Sequence, residues 1–178
     1  MQNVMVDLET LGTAPGCVIL SIGAVAFDNT KLGAEFYTVI NVDDQMAFGM
    51  ATEPGTLKWW GQQSEEAKNV LVDASTTKVT YRDGLNLFTK FLIDTCGTGV
   101  KVWGNGASFD NAILAASYKN RSMQLPWKFY NDRCYRTMKG LCPSIKLTRS
   151  GTYHNALDDA ISQAEHLINI LTALKINV

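Results

Sequence analysis

Cysteine is sparse and scattered. Cys17, Cys96, Cys134 and Cys142 form no C-x-x-C pair and no zinc-finger spacing. Neither a disulfide framework nor a structural zinc site is expected, and free thiols in a reducing cytoplasm are. No apolar run approaches the ~20 residues that a membrane helix needs. The opening MQNVMVDLET lacks the basic n-region, apolar stretch and cleavage site of a signal peptide. Repeats and low-complexity tracts are absent. A positive excess is missing too, since the net charge is −1, so the simplest mark of a polyanion binder is not there. What remains is ordinary globular composition over 178 residues. That length predicts one domain, 1–178, able to bury a core without cross-links.

The distribution of charge says more than its sum. Residues 1–56 hold seven acids, Asp7, Glu9, Asp28, Glu35, Asp43, Asp44 and Glu53, against Lys31 alone. Between Lys119 and Arg149 the sense reverses: Lys119, Arg121, Lys128, Arg133, Arg136, Lys139, Lys146 and Arg149 face only Asp132. An acidic first third beside a basic later segment fits a metal site next to a phosphate-tracking surface. A solvated face of mixed charge fits equally well.

Periodicity sketches an α/β domain. NVMVDLE, VILSIGAVAFD and GAEFYTVINV alternate or run apolar between turn residues, which predicts an antiparallel three-stranded meander over residues 1–42. Helices are expected over Glu53–Gln63, after the N-cap Ser64, and after Thr80, where Thr80-x-x-Asp83 nearly forms a capping box and Leu85, Phe88 and Leu92 share a face. VKVWGNG reads as a short buried strand and SFDNAILAASYKNR as a helix with Ser108 near its start. WKFYND is expected as a further strand and RCYRTMKGLC as a short helix stopped by Pro143. The last helix, NALDDAISQAEHLINILTAL, places Leu157, Ile161, Ala164, Ile168 and Leu171 at helical spacing, with His166 expected on its surface. Strands that pair early and alternate with helices later predict a mixed sheet, antiparallel first and then parallel.

Two carboxylates interrupt the first strand. Residues i and i+2 of a strand share a face, so Asp7 and Glu9 stand side by side while Leu8 turns away. Adjacent carboxylates repel unless a cation lies between them, and hard oxygen donors suit Mg²⁺ or Mn²⁺. A solvated strand end would explain the pair as well. Asp110 opens the middle helix, and His154 precedes the last one, with Asp158 and Asp159 in its first turns. Each alone reads as a capping or surface residue.

Taken in order, DLET, SFD and HNALDDA carry Asp7, Glu9, Asp110, His154 and Asp159. This set resembles the DEDDh 3′–5′ exonucleases, the family of RNase T, oligoribonuclease and the polymerase proofreading subunit. Their pattern is D-x-E-T after a first strand, an Asp opening a helix mid-chain, and H-x-A-x-x-D on the last helix. Nearly the whole chain is covered. DLETLG, LSIGAVAFD and KWWGQQSEEA are similar to a compact phage and bacterial group within it. The middle motif reads NGASFD where RNase T-like members carry HN ahead of FD.

The resemblance implies an RNase H-like fold and a metal-dependent exonuclease acting on the 3′ end of single-stranded DNA or RNA. It implies two divalent ions, Mg²⁺ or Mn²⁺, held by Asp7, Glu9, Asp110 and Asp159, with His154 as general base; the H-x-A-x-x-D spacing selects Asp159 over Asp158. Leu8 and Thr10 flank the first acids, where relatives hold the terminal nucleotide. Trp59, Trp60, Phe109 and Tyr153 are the candidate stacking platforms, with core packing the favoured reading for Trp59 and Phe109. The family also admits a homodimer. Two rivals stay open on sequence alone: a nucleic-acid-binding module without catalysis, and a hydrolase of small nucleotides.

Overall fold

The first three strands form where alternation and turn chemistry place them. In the computed structural model, which describes residues 1–178, β1 (Asn3–Thr10), β2 (Ile19–Phe27) and β3 (Leu32–Val39) pair antiparallel in succession. Asp28 shapes the β2–β3 turn, its Oδ1 accepting the amides of Thr30 (2.8 Å) and Lys31 (3.0 Å). Four helices follow: α1 (Val42–Ala47), α2 (Pro54–Trp60), α3 (Glu65–Thr76) and α4 (Tyr81–Cys96). The chain then returns as β4 (Lys101–Gly104) and β5 (Asp132–Cys134), each parallel to its inner neighbour. The result is a five-stranded sheet in the order β3-β2-β1-β4-β5. Helices α5 (Asp110–Asn120), α6 (Tyr135–Leu141) and α7 (Ala156–Leu174) complete the chain. None of the helices is long and apolar enough to cross a membrane.

β1 lies at the centre of the sheet and is covered on both faces, which is why its sequence begins as an unbroken apolar run. Its even-numbered residues Val4, Val6 and Leu8 enter the larger core with Leu85, Phe88 and Leu92 of α4 and Ile113 and Leu114 of α5. Its odd-numbered Met5 packs into a smaller core with Ala160, Ala164, Leu167 and Leu171 of α7. Asp7 and Glu9 share the parity of Met5. The pleat therefore turns both carboxylates toward α7.

Helix starts follow local chemistry. Ser64 accepts the Ala67 amide, and Thr80 accepts the Asp83 amide while its hydroxyl donates to Asp83 Oδ2 (2.7 Å). α1 falls outside the expected elements. It is capped by Asn41, which accepts the Asp44 amide, and fixed to β2 by the buried Gln45, whose amide group spans the Ile19 N–H and C=O. The strand expected over Trp127–Asp132 begins only at Asp132, because Phe129–Asn131 form a 3-10 turn. There Trp127 Nε1 and Asn111 Nδ2 both donate to Asp132 Oδ1. α5 starts at Asp110 without a side-chain cap, leaving Ser108 exposed.

The inward stripe of α7 is also rotated from expectation. Leu157, Ile161 and Ile168 sit half-buried at its flanks, and the small residues Ala156, Ala160 and Ala164 face the sheet. His166, expected at the surface, is 2% exposed; Tyr135 Oη lies 2.7 Å from its Nδ1 and the Ile145 carbonyl 2.9 Å from its Nε2. Small residues let α7 press onto β2. A Cβ built on Gly23 would meet the Ala156 carbonyl carbon at 2.1 Å. The contacting atoms all belong to the Ala156–Leu157 backbone, so none can swing away. Gly23→Ala is expected to destabilise the fold by about 1–3 kcal/mol, the usual range for overpacking. Urea unfolding with an unchanged m-value measures it.

Candidate active site

The site is built where the C-terminal ends of β1 and β4 meet the N-terminal ends of α5 and α7. An open cleft of about 610 Å³ lies there, and Asp7, Glu9, Asp159 and His154 line it. Asp110 lies just beneath the floor, 1% exposed, with its Oδ2 buried and without a hydrogen-bond partner. It packs over the end of β4 because Gly104 has no side chain. A Cβ there would stand 2.9 Å from Asp110 Oδ2 and 2.5 Å from Asn111 Oδ1. Beyond Glu9 the β1–β2 register shifts, and pairing resumes at Thr10 and Ile19 beside the cleft.

α7 brings two side chains to β1. Gln163, one helical turn past Asp159, donates its Nε2 to Asp7 Oδ1 at 2.8 Å. Asp159 takes the Arg149 guanidinium on Oδ1 and the His154 amide on Oδ2 (3.2 Å). Its neighbour Asp158 points out of the cleft, accepting the Thr152 amide at 2.6 Å. Asn155 caps α7 by accepting the amides of Leu157 and Asp158. Just before that cap, His154 adopts a left-handed backbone with φ of 64°. Its ring sits edge-on to Trp59 (centroids 4.8 Å apart) and against Tyr153 (3.8 Å). Ligand atoms of Glu9, His154 and Asp159 all fall within 4.8 Å of one another.

The electrostatics follow from burial and crowding. Burial, then the Asp110 charge, raises Asp7 well above the ordinary carboxylate range, and the Gln163 hydrogen bond only partly opposes it. Glu9 is pushed up to about 10 by burial and then by the charges of Asp7, Asp159 and Asp110. Burial lifts Asp110 to about 7 against the pull of nearby backbone amides. Asp159 is raised by burial and pulled back by Arg149. Burial lowers His154, with Asp159 opposing. Four acids that resist ionisation together, one with an orphaned oxygen, fit hard divalent cations held through oxygen. Glu9, Asp159 and Asp7 offer donors from the cleft wall and Asp110 from beneath.

The aromatic rim differs from expectation in one respect. Trp60 is 1% exposed and spends its Nε1 on the Thr10 carbonyl (2.9 Å), so its ring belongs to the core and offers no free face. Trp59, read as core, is 39% exposed and lines the cleft with Tyr153, which is 54% exposed. Adjacent residues on a short helix face different ways, and periodicity over seven residues does not say which faces in. Phe109 does both, bordering the cleft and packing on the core. Leu8 and Thr10 also border the cleft. Gln163, Asn105, Arg136 and Glu53 line it too and were not anticipated. Gln163 was within reach of the pattern, since i+4 from Asp159 on a helix shares its face.

Comparison with known proteins places the chain. The profile of the 3′–5′ exoribonuclease Rv2179c-like domain family matches residues 2–171. The chain belongs to that family. It is 25% identical over 162 residues to an exodeoxyribonuclease of Enterobacteria phage T4, covering 77% of this chain and 70% of that protein. Among solved structures, the nuclease domain of 3′hExo, a DEDDh family member bound to rAMP, aligns with a TM-score of 0.64 at 13% identity, over 96% of this chain and 92% of that one. S. pombe Pop2p in its Mg²⁺- and Mn²⁺-bound form gives 0.65 at 13% identity, over 96% and 83%. Exonuclease X in complex with 5′ overhanging duplex DNA gives 0.59 at 19% identity, over 96% and 92%. The exonuclease chain thus shares the RNase H-like fold of the DEDDh nucleases.

Stability of the metal-free exonuclease should depend on pH in an inverted sense. A carboxyl raised in the folded state binds its proton there more tightly than in the unfolded chain. Folding is then strongest near the ordinary carboxylate range and weakens as pH climbs, through about 7 for Asp110 and onward for Glu9. In EDTA, the melting temperature is expected to fall between about pH 5 and pH 8. Asp110→Asn should flatten that fall, and Mg²⁺ should reverse it in the parent. Thermal melts across pH measure both.

Proposed function

We propose that residues 1–178 act as one exonuclease domain that removes nucleoside monophosphates from the 3′ end of single-stranded DNA or RNA. In this reading, two divalent ions, Mg²⁺ or Mn²⁺, are held by Asp7, Glu9, Asp110 and Asp159. The observation that carries it is the convergence of carboxylates from three distant segments, with Asp7, Glu9 and Asp159 lining one cleft, Asp110 buried beneath it and a half-buried histidine among them. The ions supply a charge sink for the phosphodiester and lower the pKa of water.

The remaining chemistry falls to side chains. His154, with its pKa held below the ordinary 6.5 by burial, stays neutral near pH 7 and is free to take a proton. Trp59 and Tyr153 hold its ring from two sides. Gln163 orients Asp7. The exposed faces of Trp59 and Tyr153, with Phe109, offer surfaces on which terminal bases stack irrespective of sequence. Leu8 and Thr10 border the place of the terminal nucleotide. Arg149, which lines the cleft and stacks over Tyr153 with its Cζ 4.1 Å from the ring centroid, is placed to meet a phosphate.

The family description names an exoribonuclease and the phage relative an exodeoxyribonuclease. On this reading the cleft accepts either sugar. Its four unpaired cysteines support a reducing compartment, in line with a cytoplasmic enzyme.

The test is digestion of 5′-labelled single-stranded DNA and RNA of one sequence. A ladder shortening from the 3′ end is expected with Mg²⁺ or Mn²⁺, and none with EDTA or with Asp7→Ala. His154→Ala should lower kcat by about 10²–10⁴, the usual contribution of a general base. Intact strands under every metal condition, or fragments cut internally, would sink the proposal.

A further inference from the structure

The cleft does not end at the carboxylates. Asn105 and Arg136, on its side toward α6, also line a second open groove of about 540 Å³. Lys139 of α6 and Lys146 of the following loop line this groove, Lys146 donating its Nζ to the Pro143 carbonyl at 2.9 Å, and no acidic residue lines it. Arg136 is anchored at the junction by its Nε, which donates to the Asn105 carbonyl at 3.0 Å. A cationic path therefore runs from Arg149 and Arg136 to Lys139 and Lys146, starting at the site where the 3′ end is proposed to react.

The outer wall of the groove is firmly held. His166, for which the chemistry of the cleft has no use, fixes it from behind. Its Nε2 meets the Ile145 carbonyl, so that nitrogen is the donor, and Nδ1 then accepts from Tyr135 Oη. This buried pair pins the loop carrying Lys146 to α7. A loop tied in this way presents its lysine in one place.

The other four bases of the positive segment lie elsewhere. Lys119 and Arg121 stand at the end of α5 remote from Asp110, where the Arg121 guanidinium covers the Phe48 ring at 4.0 Å. Lys128 and Arg133 flank the start of β5, and Arg133 spends Nη1 on the carbonyls of Tyr130 and Asp132. The positive segment thus splits in two, and only the half from Arg136 to Arg149 faces the site.

We propose that the Arg136–Lys139–Lys146 groove carries the upstream phosphates of the single strand whose 3′ end lies in the cleft. The inference rests on the nuclease reading above and gives it a direction: the strand leaves over α6. Its charge is complementary to a phosphodiester backbone, and Ile145 in its lining gives sugars and bases an apolar contact.

Binding tests this apart from turnover. In an Asp7→Asn background with Mg²⁺, anisotropy of a labelled single strand of about ten nucleotides, within common single-strand site sizes, reports affinity. Adding Lys139→Ala and Lys146→Ala should weaken binding about tenfold at low salt and reduce the log–log salt slope by about 1.4, two single-strand phosphate contacts. Lys119→Ala with Lys128→Ala removes equal charge and should change neither. Equal losses in both pairs, or no loss in the first, overturns the groove. Digestion by the parent enzyme separates the two readings. Shortening from the 3′ end together with groove-independent binding overturns the groove alone. Groove-dependent binding without shortening overturns the nuclease reading and supports the track.

Discussion

Four crowded carboxylates are the constraint on which the rest of this structure turns. Each is disfavoured in its charged form by burial, and at Asp7 and Glu9 the charges of neighbouring acids add to that cost. Such a cluster is tolerated only where the surrounding fold is stiff enough to hold it and a cation can enter. The central position of β1 provides the stiffness. Its even face is locked into the larger core, so its odd face has no freedom to turn Asp7 and Glu9 away from α7. The close seat of α7 on Gly23 then sets how near Asp159 and Gln163 come to them.

The same constraint explains the groups around the acids. Gln163 and Arg149 each give a hydrogen-bond donor to a carboxylate, which lessens repulsion without filling the cleft. Asp110 receives no comparable side-chain partner and keeps an orphaned oxygen beneath the floor. His154 stands among these charges in a backbone conformation that costs non-glycine residues about 1–2 kcal/mol. Its amide on Asp159 and the Asn155 cap immediately behind it hold that conformation. Trp59 and Tyr153 pack its ring, so one rim serves both to position the histidine and to present aromatic surface to solvent.

Much of this was legible in order of residues. The meander, the parity of Asp7 and Glu9, the Ser64 and Thr80 caps and the start of the last helix are local patterns, set by the pleat, by capping and by periodicity. The set of DLET, SFD and HNALDDA told which family to expect, because three spaced motifs constrain one another far more than any one does. Gln163 lay inside that information, at i+4 from Asp159. Trp59 and Trp60 did not. Both are equally apolar, and α2 is too short for its pattern to choose between them; the Thr10 carbonyl, fifty residues away in sequence, selects Trp60 for burial.

The basic segment marks the same boundary. Its charge was plain from composition, but its division into a half that faces the cleft and a half that does not depends on where α5, β5 and α6 dock. His166 looked like a surface residue because nothing on its own helix requires a buried imidazole; its partners, Tyr135 and Ile145, arrive from α6 and the loop beyond. The sequence by itself determined the fold class and the family and named the acids that the fold then gathers, since these rest on short-range periodicity and ordered motifs. Tertiary structure alone decided which tryptophan is buried, how deep Asp110 lies and which cations border the cleft. Those follow from contacts between segments far apart in the chain, and no local pattern encodes them.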